Sequence, residues 1–382
     1  MNDDQVLTNA RMVLPDRVVA GTLQMRDGVI VSIGDDKSAR SATHDLAGDY
    51  LLPGLVDLHT DSLEGHLEPR KGVRWNPVSA AMAHDATVIA AGVTTVFDAL
   101  CVGDSITRPA QTENLDQMLA GLAEARRHGL LRADHLVHLR CEVTDPAVAG
   151  LTEQRLTDPQ VRLVSVMDHA PGHRQMKEVD YYRNTWLIER QGMSPEEADR
   201  EIDLVIERST TVAPVMRKAV TDMAHAHGQV VASHDDETLA HVEEALELGI
   251  EIAEFPTTEE AARTAHGRGM AVLMGGPNLV RGGSHFGNVA TGELAKLGLL
   301  DALMSDYIMS SMLSGVFRLT RDDFGYDLAK AVALATANPA RVVGLDDRGQ
   351  IATGQRADLI HVRLVDDLPV VVAVWCAGRK VF

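Results

Sequence analysis

His59 and Asp61 lie two residues apart at the end of an apolar run. Side chains at i and i+2 on a strand point to the same side, so an imidazole and a carboxylate converge there on one point. Such donors suit Zn²⁺ or a similar divalent ion. The pattern recurs along the chain: Glu142 follows the run 136–141, Asp168 and His169 follow 162–167, His234, Asp235 and Asp236 follow 230–233, and Asp306 follows the run that starts at 299. A single histidine at a strand end is ordinarily a hydrogen-bonded structural residue. Five strands delivering His, Asp or Glu at one level predict a metal centre.

A glycine-rich stretch begins at Gly275-Gly276-Pro277-Asn278 and runs on through Arg281, Gly282, Gly283, Ser284, His285, Phe286, Gly287 and Asn288. Bare backbone amides, with Arg281, Ser284, His285 and Asn288 among them, suit phosphate oxygens. No Gly-Lys-Ser/Thr follows the glycines, so this is not a Walker loop, and an ordinary glycine-rich connection is the competing reading. Arg140, Arg174 and the pair Arg70-Lys71 could add positive charge near the same mouth, although each taken alone reads better as a surface ion-pair partner. His225 and His227 diverge on a helix over 216–228 and are excluded as ligands. Asp85 reads as a helix N-cap in preference to a residue facing the mouth, and no Gly-x-Ser-x-Gly elbow occurs.

The elements that must position these residues are short apolar runs alternating with helical stretches: 51–58, 94–100, 136–141, 162–167, 230–233, 250–255, 271–274 and 299–304. That alternation predicts βα units, and the number of runs is that of an α/β (β/α)8 TIM-like barrel, whose active site lies at the carboxyl ends of its strands. Residues 1–50 and 349–382 read as short strands and turns, predicting a small β-sandwich domain formed by both chain ends around a catalytic barrel over 51–348. The segment 181–207 is an insertion rich in Arg and Glu, with a helix start at Ser194-Pro195; it reads as a lid, an oligomer contact or a solvated helical excursion.

The chain has 382 residues, 36 Lys and Arg against 55 Asp and Glu, and a formal net charge of −19. That acidity argues against nucleic-acid and anionic-membrane partners, and an anionic substrate then needs a local basic pocket. Cys101, Cys141 and Cys376 show no C-x-x-C spacing, which fits a reducing compartment. No stretch approaches the ~18 apolar residues of a spanning helix. The expected setting is cytoplasmic.

The segments Leu51-Leu-Pro-Gly-Leu-Val-Asp-Leu-His59-Thr-Asp61, Gly92-Val-Thr-Thr95 and Gly354-Gln-Arg-Ala-Asp358 resemble the amidohydrolase superfamily. Within it, His138-Leu-Arg-Cys-Glu142, Met167-Asp-His169, Ala232-Ser-His-Asp-Asp236 and Ser305-Asp306-Tyr307 resemble a branch that serves phosphonate metabolism. The resemblance implies a divalent metal centre, probed first as zinc with one or two ions, held by His59, Asp61, Glu142, His169 and His234. Glu142 stands in for the superfamily's carboxylated lysine, and Glu254 stands where a sixth-strand histidine is usual. Asp306 takes the role of proton acceptor, and Arg140, Arg174, Arg281, Ser284, His285 and Asn288 bind substrate. The implied reaction releases pyrophosphate from a small phosphorylated ribosyl substrate, and assembly as a homo-oligomer is compatible with it. Two other readings compete: deamination or amide hydrolysis at the same metal, and a barrel that has lost catalysis and serves in assembly.

Overall fold

The computed structural model describes residues 4–34, 44–70, 72–104, 111–284, 287–321 and 323–382. Eight parallel strands pair in chain order: Leu55–Thr60, Val93–Val102, Asp134–Glu142, Val161–Met167, Val230–His234, Ile252–Glu254, Ala271–Gly275 and Ala302–Met304. A parallel bridge between Thr60 and Asp306 joins the last strand to the first. The fold is a (β/α)8 barrel, and its ring closes at candidate site residues.

The run 51–58 is two strands rather than one. Tyr50–Pro53 pairs antiparallel with Leu359–Val365 outside the barrel, and Leu55–Thr60 opens the barrel itself. Gly54 is the joint; a Cβ there would lie 2.1 Å from Thr94 Oγ1, so only glycine lets the two strands change sheets at this point. The chain ends form one continuous sheet rather than two separately bonded layers. It wraps a core that includes Leu7, Met12, Leu23, Ile30, Leu359 and Trp375. Trp375 Nε1 donates to Gln5 Oε1 across the wrap.

The strand period explains which side chains reach the mouth. Leu136, Leu163, Ala232, Ile252, Leu273 and Ala302 fill the barrel interior. Two-residue steps from them lead to Arg140 and Glu142, His169, His234, Glu254, Gly275 and Asp306. The first strand departs from this rule. Its register slips between Asp57, opposite Val96, and Thr60, opposite Asp98, so three steps face two. The bulge places consecutive residues inside: Leu58 in the interior and His59 at the cavity. Asp57 fixes the bulge, its Oδ1 accepting from the backbone N–H groups of Ser305 and His59.

Asp85 is not a cap. It lies inside the helix Pro77–Ala90, whose N-cap is Asn76. Its carboxylate accepts from the backbone N–H groups of Arg132 and Ala133 and from Arg132 Nε, tying the helix to the start of the third strand. The 181–207 segment is helical as expected. Ser194 caps Pro195–Thr211 by accepting from the Glu197 N–H, while the Glu197 carboxylate accepts from the Ser194 N–H.

Candidate metal centre and active site

The carboxyl ends of the strands surround a cavity of about 600 Å³. On its floor, His59 donates from Nδ1 to Glu254 Oε1 at 2.8 Å, and His234 donates from Nδ1 to Glu254 Oε2 at 2.7 Å. One buried carboxylate thus sets the tautomer and ring direction of two histidines, turning both Nε2 atoms toward the cavity. Glu142 repeats the device on His169: its Oε2 is 2.8 Å from His169 Nδ1, and its Oε1 accepts from Thr144 Oγ1 at 2.7 Å.

Two ligand groups result, His59 with Asp61 and Asp306, and His169 with His234 and Asp235. The donor set fits a divalent ion on a specific observation. His59 Nε2 and Asp235 Oδ2 are buried without a well-formed hydrogen bond, each with only a charged neighbour 3.3 Å away, Asp61 Oδ1 and His234 Nε2. Buried polar atoms left with so little hydrogen bonding are costly unless something binds them. Electrostatics agrees. Burial disfavours the His59 cation, yet the Glu254 carboxylate and Asp61 outweigh it and lift the group to about 10, so the site draws positive charge. Burial and the neighbouring Asp61 carboxylate push Asp306 up to about 6, the range of a base working near neutrality. His138, beneath the floor, is driven down to about 3 by burial; it donates to the Leu58 carbonyl and accepts from Ser165 Oγ, so it is structural.

Three residues just past strand ends, Asp235, Phe255 and Asp306, have φ of 56°, 55° and 56°. Each still donates its N–H to the next strand, at the carbonyls of Glu254, Leu273 and His59. A left-handed conformation at a non-glycine residue costs about 1 kcal/mol. Its concentration around one cavity marks a functional rim.

The remaining expected residues divide. Arg281, Ser284 and Asn288 line the cavity, as does Arg140, which donates from Nη1 to Asp61 Oδ1 at 2.8 Å. His285 and Lys71 lie outside the described residues, and Arg70 is exposed away from the lining. Arg174 does not reach the mouth. It is buried behind the wall, its Nη1 donating to Asp236 Oδ1 and the His234 carbonyl, so its charge is spent on holding the fifth strand's end. The glycine-rich stretch is also less of a loop than expected, since Gly276–Arg281 is a short helix. Gly276 is needed for packing, because a Cβ would sit 2.7 Å from Ser311 Oγ. Three contributors were missed as site residues: Asp235, Glu254 as an orienting carboxylate, and the aromatic wall of Tyr182 and Trp186. The strand-end position marked the first two; nothing local marked the third.

Fold and site together are those of a barrel hydrolase whose donor groups could hold a divalent ion. The chain belongs to the amidohydrolase family. That family's model matches residues 197–382. Over its full length the chain is similar to the α-D-ribose 1-methylphosphonate 5-triphosphate diphosphatase of Escherichia coli (strain K12), 41% identical over 382 residues that cover 99% of this chain and 100% of that protein. It is also similar to an adenine deaminase of Nitratidesulfovibrio vulgaris, 26% identical over 99% of this chain and 57% of that one. Among solved structures, a prolidase-like protein from Bifidobacterium longum shares the fold with a TM-score of 0.67 at 18% identity, over 99% of this chain and 94% of that one.

Proposed function

We propose that this protein hydrolyses a ribosyl alkylphosphonate 5-triphosphate to the 5-phosphate and pyrophosphate, within the cytoplasm and in phosphonate catabolism. The observation that carries the reading is one cavity that joins a divalent-ion donor set to Arg281, Ser284 and Asn288. The full-length similarity to the E. coli diphosphatase supports it.

In this reading an ion would be held by donors drawn from His59, Asp61, His169, His234 and Asp235, with Glu142 and Glu254 orienting the imidazoles. The chemistry a divalent ion such as zinc supplies there is Lewis-acid activation of water and screening of phosphate charge. Asp306 accepts the proton of the attacking water, whose oxygen ends on phosphorus. The P–O bond between the α and β phosphoryl groups breaks, and the bridging oxygen departs with the pyrophosphate. Arg281, at the rim, offsets the charge of that leaving group. Tyr182 and Trp186, also in the lining, keep bulk water from the reacting atoms.

Phosphorus NMR on zinc-loaded protein with ribosyl 1-methylphosphonate 5-triphosphate tests this. Pyrophosphate appearing together with a 5-monophosphate is the expected result. Successive inorganic phosphate would make the protein a stepwise phosphatase. An unchanged triphosphate with metal bound would turn the reading toward deamination or amide hydrolysis.

A further inference from the structure

The two ligand groups face each other across the cavity floor, and a two-ion centre needs an anion between them. The Glu254 carboxylate joins them only from behind, at the Nδ1 atoms of His59 and His234, and what meets both on the side of Asp61 and His234 Nε2 is a cation. Arg140 Nη1 donates to Asp61 Oδ1 of one group at 2.8 Å, and Nη2 lies 3.4 Å from His234 Nε2 of the other. The side chain is 9% exposed, and its Nε is buried without a partner. We propose that this centre takes one divalent ion, and that the Arg140 guanidinium is a built-in second cation occupying the ground where a second ion would bind. The inference rests on the metal-assisted reading above.

Three features support it. A guanidinium does not lose its proton in proteins, so its charge is permanent. Two dications flanking it at close range would repel it and each other in a site shielded from water. Next, Glu254 holds the proton of His234 on Nδ1, which leaves the Nε2 lone pair facing Arg140; that lone pair cannot serve the guanidinium and an ion together. Finally, the carboxylate expected to bridge two ions, Glu142, has one oxygen on His169 Nδ1 and the other on Thr144 Oγ1. It orients a histidine. In catalysis the guanidinium would meet a phosphoryl oxygen, bidentate where an ion would be a point charge.

The test counts ions. Chelator-stripped protein is titrated with Zn²⁺ and analysed for bound metal after gel filtration, then loaded with Mn²⁺ for electron paramagnetic resonance. Wild type is expected to hold one equivalent, with the spectrum of an isolated Mn²⁺. Arg140→Lys, which keeps the charge, is expected to hold one. Arg140→Met is expected to gain a second equivalent, at least tenfold tighter than any second binding by wild type, with an exchange-coupled spectrum. Arg140→Gln repeats the measurement should the Met variant misfold by circular dichroism. The buried His84, Asp98 and His135 form another donor group, so the count is repeated in His84→Gln to subtract any ion held there. Two equivalents in folded wild type overturn the proposal. So does a single equivalent in both neutral variants, which would mean that Arg140 does not exclude the second ion. No bound ion at the barrel mouth of wild type overturns the metal-assisted reading along with it, which separates the two failures.

Discussion

The Glu254 side chain is fully buried, and both of its oxygens are occupied by imidazoles. Gln at this position offers one carbonyl oxygen and one amide donor, so it can accept from one histidine and must confront the other. Glu254→Gln is therefore expected to weaken zinc binding by roughly 10- to 100-fold, read by competition with a chromophoric chelator. Affinity equal to wild type would show that the imidazoles are aimed by something else. Asp306 separates from this group in its predicted signature. Asp306→Asn should retain metal yet lose turnover by roughly 10²-fold or more. Near-normal kcat with metal bound would remove it from the proton-transfer role. At this scale the sequence was readable because a strand has a period of two. Glu142, His169, His234 and Asp306 sit on the interior-facing parity of their strands, and strand-end position pointed to them; Arg140 shares that parity, although only its charge had marked it. Arg174 misled because charge near a mouth does not say which way a side chain turns; its partner Asp236 lies far away in sequence and nearby in space.

Elements carry the parts that local sequence does not show. The wall formed by Tyr182 and Trp186 depends on a wide helical turn, Tyr182–Arg190, that folds back over the mouth on its own small core of Tyr182, Leu187, Ala198 and Ile202. Amphipathic spacing announced helices in 181–207, and the capping pattern placed the start at Ser194. Which face would cover the cavity depended on tertiary packing. The second element-scale feature is the contact between the helix Pro77–Ala90 and the second and third barrel strands. There His84 Nε2 is 2.7 Å from Asp98 Oδ1, His135 Nδ1 is 2.9 Å from Asp98 Oδ2, and His135 Nε2 reaches Asp85. Burial opposes the His135 cation, but Asp98 and Asp85 raise it to about 9. A group whose folded pKa is raised contributes its full stability below its unfolded value of ~6.5 and loses it as pH climbs through the folded value. The contact should thus hold at pH 6 and weaken steadily from ~6.5 to about 9. Asp98→Asn removes the charge partner, so the gap in melting temperature between wild type and this variant should narrow across that window. A gap that stays constant from pH 6 to 9 would mean that His135 is neutral throughout.

The whole molecule has a formal charge of −19, and the reaction proposed for it consumes a polyanion. The cavity does not reverse that balance. Asp61, Glu142, Asp235 and Asp306 line it against Arg140 and Arg281, and Arg140 is already paired with Asp61. A triphosphate therefore approaches up a repulsive gradient until it meets the centre itself and Arg281 at the rim. Salt screens exposed charges over ~8 Å at physiological ionic strength, so it relieves the long-range repulsion while leaving the contacts inside the cavity largely intact. On the metal-loaded enzyme, kcat/KM for the triphosphate is expected to rise roughly threefold to tenfold between ~10 and ~150 mM salt, the reverse of an electrostatically steered enzyme. Arg281→Met should lower kcat/KM about tenfold, since its charge meets the polyanion on arrival and offsets the departing pyrophosphate, and the loss should be largest at low salt where screening is weakest. A kcat/KM that falls as salt is added would place a net attractive field at the mouth. The cation responsible would then have to be sought beyond Arg140 and Arg281.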